Sequence, residues 1–185
     1  MPNTAQFILN RLTEWGIKRV YGYPGDGING LLGAFHEVGD KLDFVQTRHE
    51  EIASFAATAH AKFTGEVGVC MATSGPGAIH LLNGLYDAKL DHQPVVAIVG
   101  QQKRIGLGSA FQQEIDPNTL YKDVSSDFVQ TCMHPAQARH LVEGADQPVD
   151  AVPGVTVDAL DAPLGEAIED ELAGVGHRAP CRRGT

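Results

Sequence analysis

The chain has 185 residues, of which 43% are hydrophobic and 20% charged, and its formal net charge is -9 at pH 7. This length fits one sizeable core and is short for a large multidomain enzyme. The negative charge and the lack of any Lys/Arg run argue against nucleic acid or an anionic membrane surface as the main partner.

Helical and strand patterns alternate along the first part of the chain. The first helix places Phe7, Ile8, Leu12 and Trp15 on one stripe, with Thr4 as its predicted N-cap and Gly16 as its end. We then predict, in chain order, a strand at 19–23, a helix carrying Ile28 and Phe35, a strand at 42–47, a helix at 49–63, a strand at 67–73, a helix at 78–90 and a strand at 94–100. Apolar strands separated by helices predict an open α/β fold, with a mainly parallel sheet covered by helices on both faces.

The composition changes near the C-terminus. Residues 143–185 contain no Phe, Tyr, Trp or Lys, although the chain has 12 aromatic residues of the first three kinds. Such a segment buries little apolar area, so we expect a weakly ordered tail with one short helix at 164–176. The sudden change leads to the hypothesis of a shifted reading frame or a truncated gene model after residue 142.

Targeting and redox features are sparse. No apolar run approaches membrane-spanning length, and the N-terminus has no signal-peptide pattern. The cysteines at 70, 132 and 181 provide neither a disulfide framework nor paired metal-ligand spacing. We therefore expect a reduced, cytoplasmic protein with no membrane segment and no metal site.

A glycine-rich turn follows the first predicted strand, where residues 21–30 read YGYPGDGING. The Gly-x-Gly-x-x-Gly spacing matches a dinucleotide fingerprint, and a carboxylate follows the next strand as that fingerprint requires. A proline and an aromatic residue precede the glycines, however, which that fingerprint does not have. The alternative is a tight strand-to-helix turn, in which Gly25 and Gly27 supply unusual backbone angles and Asp26 or Asn29 caps the helix.

Two more segments follow predicted strands at the same edge of the sheet. The first is RHEE, at 48–51. In one interpretation it starts a helix, and its two acids complement the helix dipole, which stabilises by ~0.3–1 kcal/mol for each acid. In the other, one of its carboxylates points into a ligand cleft. TSGPG, at 73–77, is either a plain turn or a wall of small residues that lets the backbone approach a flat ring.

These segments carry a family resemblance. YGYPGDG, RHEE, GVCMATSGPG, HLLNGLYDAKLDHQPVVAIVGQ and AFQQEIDP occur in this order, and through them the chain resembles the N-terminal pyrimidine-binding domain of thiamine-diphosphate-dependent enzymes. The resemblance divides the chain into a pyrimidine-binding domain at 1–142 and an atypical tail at 143–185. His80, NGLYDA at 83–88 and the Asp91-His92 pair are more similar to pyruvate oxidases, including the quinone-linked pyruvate dehydrogenase, than to acetolactate synthases.

The resemblance implies one catalytic residue, Glu50, whose carboxyl group hydrogen-bonds the pyrimidine ring nitrogen of thiamine diphosphate. A carboxyl group suits this task because it can both give and take a proton. The other cofactor-binding residues that the resemblance implies are Pro24, Gly25, Thr73, Gly75, Pro76, Gly77 and Asn83.

The roles of several further residues are less specific. Phe111, Gln112 and Gln113 match a Phe-Gln-Glu loop near the substrate, although one extra glutamine leaves their individual roles open. We expect His49 and Glu51 to be structural. His80 and His92 are expected to pack in a helix or a loop, and the alternative for His92 is a place near the site.

The resemblance also implies partners. Mg²⁺ and FAD are expected only in further domains that this sequence does not contain, and Asn29 is too close to GDG to complete a magnesium–diphosphate motif. The expected substrate is a 2-oxo acid such as pyruvate, and the expected assembly is a homodimer or tetramer. The isolated chain is then expected to bind weakly and to turn nothing over. The alternatives are an acetolactate synthase-like fragment, a non-catalytic remnant or dimerisation module, and a nicotinamide oxidoreductase.

Overall fold

A computed structural model describes residues 3–125, 128–138 and 154–157 of the chain. Its strands are β1 (Arg19–Gly22), β2 (Asp43–Gln46), β3 (Gly68–Ala72), β4 (Val95–Gly100), β5 (Val129–Cys132) and β6 (Gly154–Val157). Its helices are α1 (Thr4–Glu14), α2 (Asn29–Val38), α3 (Glu50–Thr64), α4 (Pro76–His80), α5 (Leu82–Leu90) and α6 (Pro117–Tyr121). The strands form one parallel sheet in the order β2-β1-β3-β4-β6-β5. The predicted α/β fold with a parallel sheet is confirmed.

The two central strands show why helices cover both faces of the sheet. Successive side chains of a strand point to opposite faces, so an entirely apolar strand needs a cover on each. Val69 and Met71 of β3 pack in one core cluster with α1 and α2, whereas Cys70 and Ala72 pack in a second cluster with α3 and α5. All residues of β3 and β4 are buried.

The start of α1 differs from the prediction. The N-cap is Asn3 and not Thr4, because the Asn3 side chain accepts a hydrogen bond from the Gln6 backbone N–H at 2.8 Å. The Gln6 side chain accepts one from the Asn3 backbone N–H at 2.7 Å, which completes a capping box. Thr4 is buried as the first helical residue. Gly16 follows the helix with φ of 83°, as a helix end requires.

The helix predicted at 78–90 is two helices, α4 and α5, which meet at Leu81. The first helix, α4, begins at Pro76, two residues earlier than predicted. Proline is favoured at the first helical position, because a backbone N–H there would have no partner within the helix. Gly75 precedes it with φ of 63°, a conformation that favours glycine.

The sheet continues beyond the predicted domain boundary at residue 142. Strand β6 lies between β4 and β5, with Gly154 in register with Ala97 on one side and with Val129 on the other. The sequence pattern did not predict this strand. The helix predicted at 164–176 lies outside the described residues. Among the described helices none has the length and hydropathy needed to cross a bilayer.

Candidate functional site

The strand order marks the place where a ligand would bind. Strands β1 and β3 are neighbours, but the chain continues from β1 to β2 on one side and from β3 to β4 on the other. In open parallel sheets, ligands bind in the crevice outside the carboxyl ends of the strands at such a switch point. The segments that follow β1 and β3 here are the glycine turn and TSGPG.

The glycine turn packs directly on Thr73. A Cβ at Gly25 would lie 2.6 Å from the Thr73 Cβ, and the Gly27 backbone N–H donates to the Thr73 Oγ1 at 2.9 Å. The prediction of unusual backbone angles is wrong, since Gly25 is extended with φ of -169° and Gly27 has no positive φ. Glycine is required here for close approach.

The capping role predicted for this turn is also wrong. Neither the 3₁₀ turn at Asp26–Ile28 nor α2 has a side-chain N-cap. The Asn29 amide instead lies 3.5 Å from the Asp26 carboxylate, so the two predicted caps face each other.

Glu50 is the first residue of α3 and is 8% exposed. Its position is fixed by the N-cap His49, whose Nδ1 accepts the Glu51 backbone N–H at 3.2 Å. The Glu50 Oε2 lies 3.0 Å from the Nδ1 of His80. The other oxygen, Oε1, lies towards Gly77, at 3.4 Å from where a Cβ on that glycine would stand. A carboxylate, a glycine wall and an imidazole therefore meet at the switch point.

His80 was expected to pack in a helix or a loop, and it does lie in α4, but the structure also places beside it an acid that no sequence spacing had indicated. The sequence separates it from Glu50 by 30 residues, but α4 turns it towards the start of α3. Its ring also lies 4.5 Å from the His49 ring, centre to centre. The signal that could have found it is its spacing from Gly77, because residues three apart share one face of a helix.

The ligand atoms of His49, Glu50 and His80 lie within 4.8 Å of one another, as in a metal site. Hydrogen bonding already uses two of these groups: the His49 Nδ1 lone pair takes the Glu51 N–H, and the His80 Nδ1 faces the carboxylate. A metal bound through the His49 Nδ1 would displace the helix cap, which contributes roughly 0.5–2 kcal/mol. The arrangement is therefore better described as a hydrogen-bonded group.

The loop that carries Phe111, Gln112 and Gln113 reaches the same edge. A Cβ at Gly75 would lie 2.7 Å from the Gln113 carbonyl oxygen, so the loop packs against TSGPG. Its anchor is Glu114, which the sequence analysis missed. The carboxylate of Glu114 accepts the backbone N–H groups of Gly108 and Phe111, and these bonds lower the pKa of that carboxyl group.

A cavity of about 430 Å³ lies between this loop and the glycine turn. Its lining is mainly polar and includes residues that the sequence analysis did not select, namely Ser74, Gln101, Gln102 and Lys103. The Gln102 amide donates to the Ser74 hydroxyl at 2.9 Å, and the Lys103 ammonium lies 5.6 Å from the centre of the Phe111 ring. Phe111, Gln112 and Gln113 all line this cavity.

The structure brings most of the predicted site residues together. Glu50, Gly25, Thr73, Gly75 and Gly77 are joined through the contacts above. Pro24 and Pro76 flank them along the chain, half-buried and exposed respectively.

Asn83 lies apart from that group. Its exposed side chain donates to the Glu51 carboxylate at 2.6 Å, between α5 and α3. Its contact with a cofactor stays a prediction. Glu51 and the N-cap His49 have the structural roles expected of them. His92 lies just after α5, which ends at Leu90, in an exposed position with φ of 52°.

The buried thiols take no part in this chemistry. Cys70 and Cys132 are both buried. Burial raises the pKa of the Cys70 thiol to about 12, so it stays protonated and is not a nucleophile at neutral pH.

The fold and the site define a class: a parallel α/β domain with a carboxylate and a glycine-lined wall at its β1/β3 switch point. Residues 2–120 match the model of the family described as "Thiamine pyrophosphate enzyme, N-terminal TPP binding domain". The match covers more than half of the chain, and the chain belongs to this family.

Curated relatives agree with this assignment. The chain is 40% identical to a pyruvate oxidase of Lactiplantibacillus plantarum over 157 residues, 85% of this chain and 26% of the relative. It is 48% identical to the "Putative thiamine pyrophosphate-containing protein YdaP" of Bacillus subtilis, over 65% of this chain and 21% of the relative. It is 44% identical to the large subunit of acetolactate synthase isozyme 2 of Escherichia coli, over 62% of this chain and 20% of the relative.

The lengths of the matched segments add two facts about these relatives. The chain spans between 20% and 26% of the length of these three relatives. A match of 157 residues cannot end before residue 157, so similarity to the pyruvate oxidase extends past residue 142 and includes strand β6.

Proposed function

We propose that this chain provides the pyrimidine-binding half of a thiamine diphosphate site in a pyruvate oxidase-like enzyme that decarboxylates 2-oxo acids. One observation carries the proposal: the Glu50 side chain, which is 11% exposed, has one carboxylate oxygen at His80 and the other towards the glycine wall. In the described part of the chain, His80 is the only hydrogen-bond partner of the Glu50 carboxylate, so Oε1 is free to face a ligand.

The chemistry of these residues fits an aminopyrimidine. A ring nitrogen needs a partner that can give and take one proton, and a carboxyl group held at a helix N-terminus can do so. The small residues from Gly75 to Gly77 let the backbone approach a flat ring without side-chain interference. Thr73 supports this wall through its bond to the glycine turn. When bound, thiamine diphosphate supplies the electron sink for decarboxylation, and the protein supplies orientation and proton transfer.

The substrate side of the proposal rests on the loop of Phe111, Gln112 and Gln113. These side chains line a polar cavity beside the glycine turn, where a 2-oxo acid such as pyruvate would find amide donors. We assign the diphosphate end, its Mg²⁺ and any FAD to regions beyond this sequence, because the relatives are about three times as long as this chain. A partner subunit in a homodimer or tetramer would then complete the site.

The test uses the chain itself. We expect thiamine diphosphate with Mg²⁺, titrated in a two-dimensional amide NMR experiment, to shift the signals of Glu50, Thr73, Gly75 and Gly77. Glu50→Gln is expected to weaken binding by about tenfold or more, the size of a lost hydrogen bond to a charged group. In a holoenzyme assembled with the complementary regions, the same change is expected to lower turnover by at least ~10²-fold.

Glu51→Gln is the matched control. Glu51 is the neighbouring acid and bonds Asn83 at the surface. We expect its replacement to leave the affinity for thiamine diphosphate unchanged. Ligand-induced shifts confined to the far edge of the sheet, or Glu50→Gln binding as tightly as the unmodified chain, contradict the assignment.

Acetolactate synthesis is the second candidate function, favoured by the 44% identity to the Escherichia coli subunit. A holoenzyme that consumes pyruvate separates the two functions by its product. Reduction of an electron acceptor supports the oxidase, and formation of acetolactate supports the synthase.

A further inference from the structure

The two oxygens of the Glu50 carboxylate have different surroundings. Oε2 lies 3.0 Å from the His80 Nδ1, and Oε1 faces Gly77. When the carboxylate is ionised it has acceptors only, and the His80 Nδ1 must then carry the hydrogen and donate it. This bond prevents the carboxylate from turning about its last torsion angle, and it leaves Oε1 directed at the wall of the site.

His80 is itself held in place. It ends α4, one helical turn after Gly77, so the helix that builds the wall also carries the imidazole. Its ring packs on the His49 ring at 4.5 Å with an interplanar angle of 33°. His49 is fixed in turn by its N-cap bond to the Glu51 N–H. These contacts connect His80 to two elements, the start of α3 and the end of α4.

We propose that His80 is a positioning residue for Glu50, which orients Oε1 towards the pyrimidine ring nitrogen of the cofactor. The inference rests on the proposed function, because it concerns the same site. Without His80, the buried carboxylate loses its hydrogen-bond partner and gains by turning towards water, since an unsatisfied buried acceptor is unfavourable. A carboxylate that is misplaced by one rotamer no longer reaches the ring nitrogen.

The experiment compares two ligands on one set of variants. The first ligand is thiamine diphosphate, and the second is its analogue in which CH replaces the pyrimidine ring nitrogen. The ratio of their dissociation constants measures the Glu50 contact alone, because every other contact is common to both. The variants are His80→Ala, His80→Asn, Glu50→Gln and, as a control, His36→Ala on the exposed face of α2.

The unmodified chain is expected to prefer thiamine diphosphate by about tenfold or more, and His36→Ala to keep that preference. Glu50→Gln and His80→Ala are expected to lose most of it. His80→Asn is expected to restore it, because the asparagine amide can donate from the position of the imidazole Nδ1. General structural damage would weaken both ligands equally and leave the ratio unchanged. A His80→Ala chain with the full preference overturns the inference while the proposed function stands.

A measurement without ligand separates the two ideas further. In the free chain we expect an NMR signal for the His80 Nδ1–H that disappears in Glu50→Ala, which removes the acceptor. If this signal is found but the unmodified chain binds both ligands equally, the proposed function fails and the role of His80 in it fails with it. If the signal persists in Glu50→Ala, the imidazole does not bond Glu50 and the inference fails by itself.

Discussion

Glu50 illustrates what a single residue gains from its place in the fold. An acid at a helix N-terminus is common and contributes ~0.3–1 kcal/mol when exposed. Here the acid is nearly buried, and the residues around it divide the carboxylate into a held oxygen and a free one. The sequence predicted Glu50 through RHEE, but it could not predict the partner, because His80 lies 30 residues away and only folding brings them together.

Glu114 is the residue that orders the loop of Phe111, Gln112 and Gln113. Its carboxylate accepts the backbone N–H of Phe111 at 2.9 Å and that of Gly108. Two neighbouring residues, Ala110 and Gln113, adopt positive φ angles of 55° and 63°. Such angles are uncommon outside glycine, so the loop needs this anchor to hold its shape.

The pH dependence of this loop follows from the pKa of Glu114, which the bonds from Gly108 and Phe111 lower. A lowered pKa in the folded chain means that the ionised carboxylate orders the loop above that pKa and that the order is lost as the pH falls through it. We expect the amide signals of Gly108 and Phe111 to shift together on acidification, with a midpoint below the ordinary glutamate value.

Glu114→Gln is expected to remove this shared transition. Glu66→Gln, which changes an exposed acid beside His60, is expected to leave it in place. A midpoint at the ordinary glutamate value would show that the loop bonds are absent in solution.

At the scale of elements, the close contact between α3 and α5 fixes the start of α3, where Glu50 lies. Gly84 packs so tightly on α3 that a Cβ would lie 2.5 Å from the Phe55 backbone nitrogen and 2.3 Å from the Ser54 Oγ. The Thr58 hydroxyl lies 2.9 Å from the Gly84 carbonyl oxygen and bridges the two helices. The sequence showed a glycine within a helical pattern, but only the packing explains it.

Gly84→Ala is therefore expected to destabilise the chain by about 1–3 kcal/mol, because α3 would have to move away. Gly33→Ala is the matched control, since Gly33 also lies within a helix but has nothing within 4 Å. It is expected to stabilise the chain by about 0.5–1 kcal/mol, because alanine loses less backbone entropy on folding. Urea denaturation measures both, and a Gly84→Ala chain as stable as Gly33→Ala would refute the packing argument.

At the scale of the whole molecule, the sheet has a protected centre and an open edge. Strands β3 and β4 are buried along their full length and have a strand on each side. Strand β2 is at the edge of the sheet, and its end residues Asp43 and Gln46 are exposed. The glycine wall therefore follows a buried central strand, whereas Glu50 follows the edge strand β2, which can open separately.

Hydrogen exchange tests this division. Amides of β3 and β4 are expected to exchange only through global unfolding, and those of β2 to exchange at least about 10²-fold faster through local opening. NMR or mass spectrometry can follow the exchange by residue or by peptide. Equal protection of β2 and β3 would contradict this division of the sheet.

The sequence by itself determined the fold class and the first four strands within one or two residues. These features depend on local patterns of apolar residues, turns and helix starts, which a linear reading contains. Glu50 and the glycine wall were singled out by the resemblance to a family, and their roles stay predictions. Tertiary structure decided the role of His80, the close approach of Gly25 and Gly27 to Thr73, and the position of β6 between β4 and β5. Each of these depends on contacts between residues that are distant in the sequence, and such contacts have no signature until the chain folds.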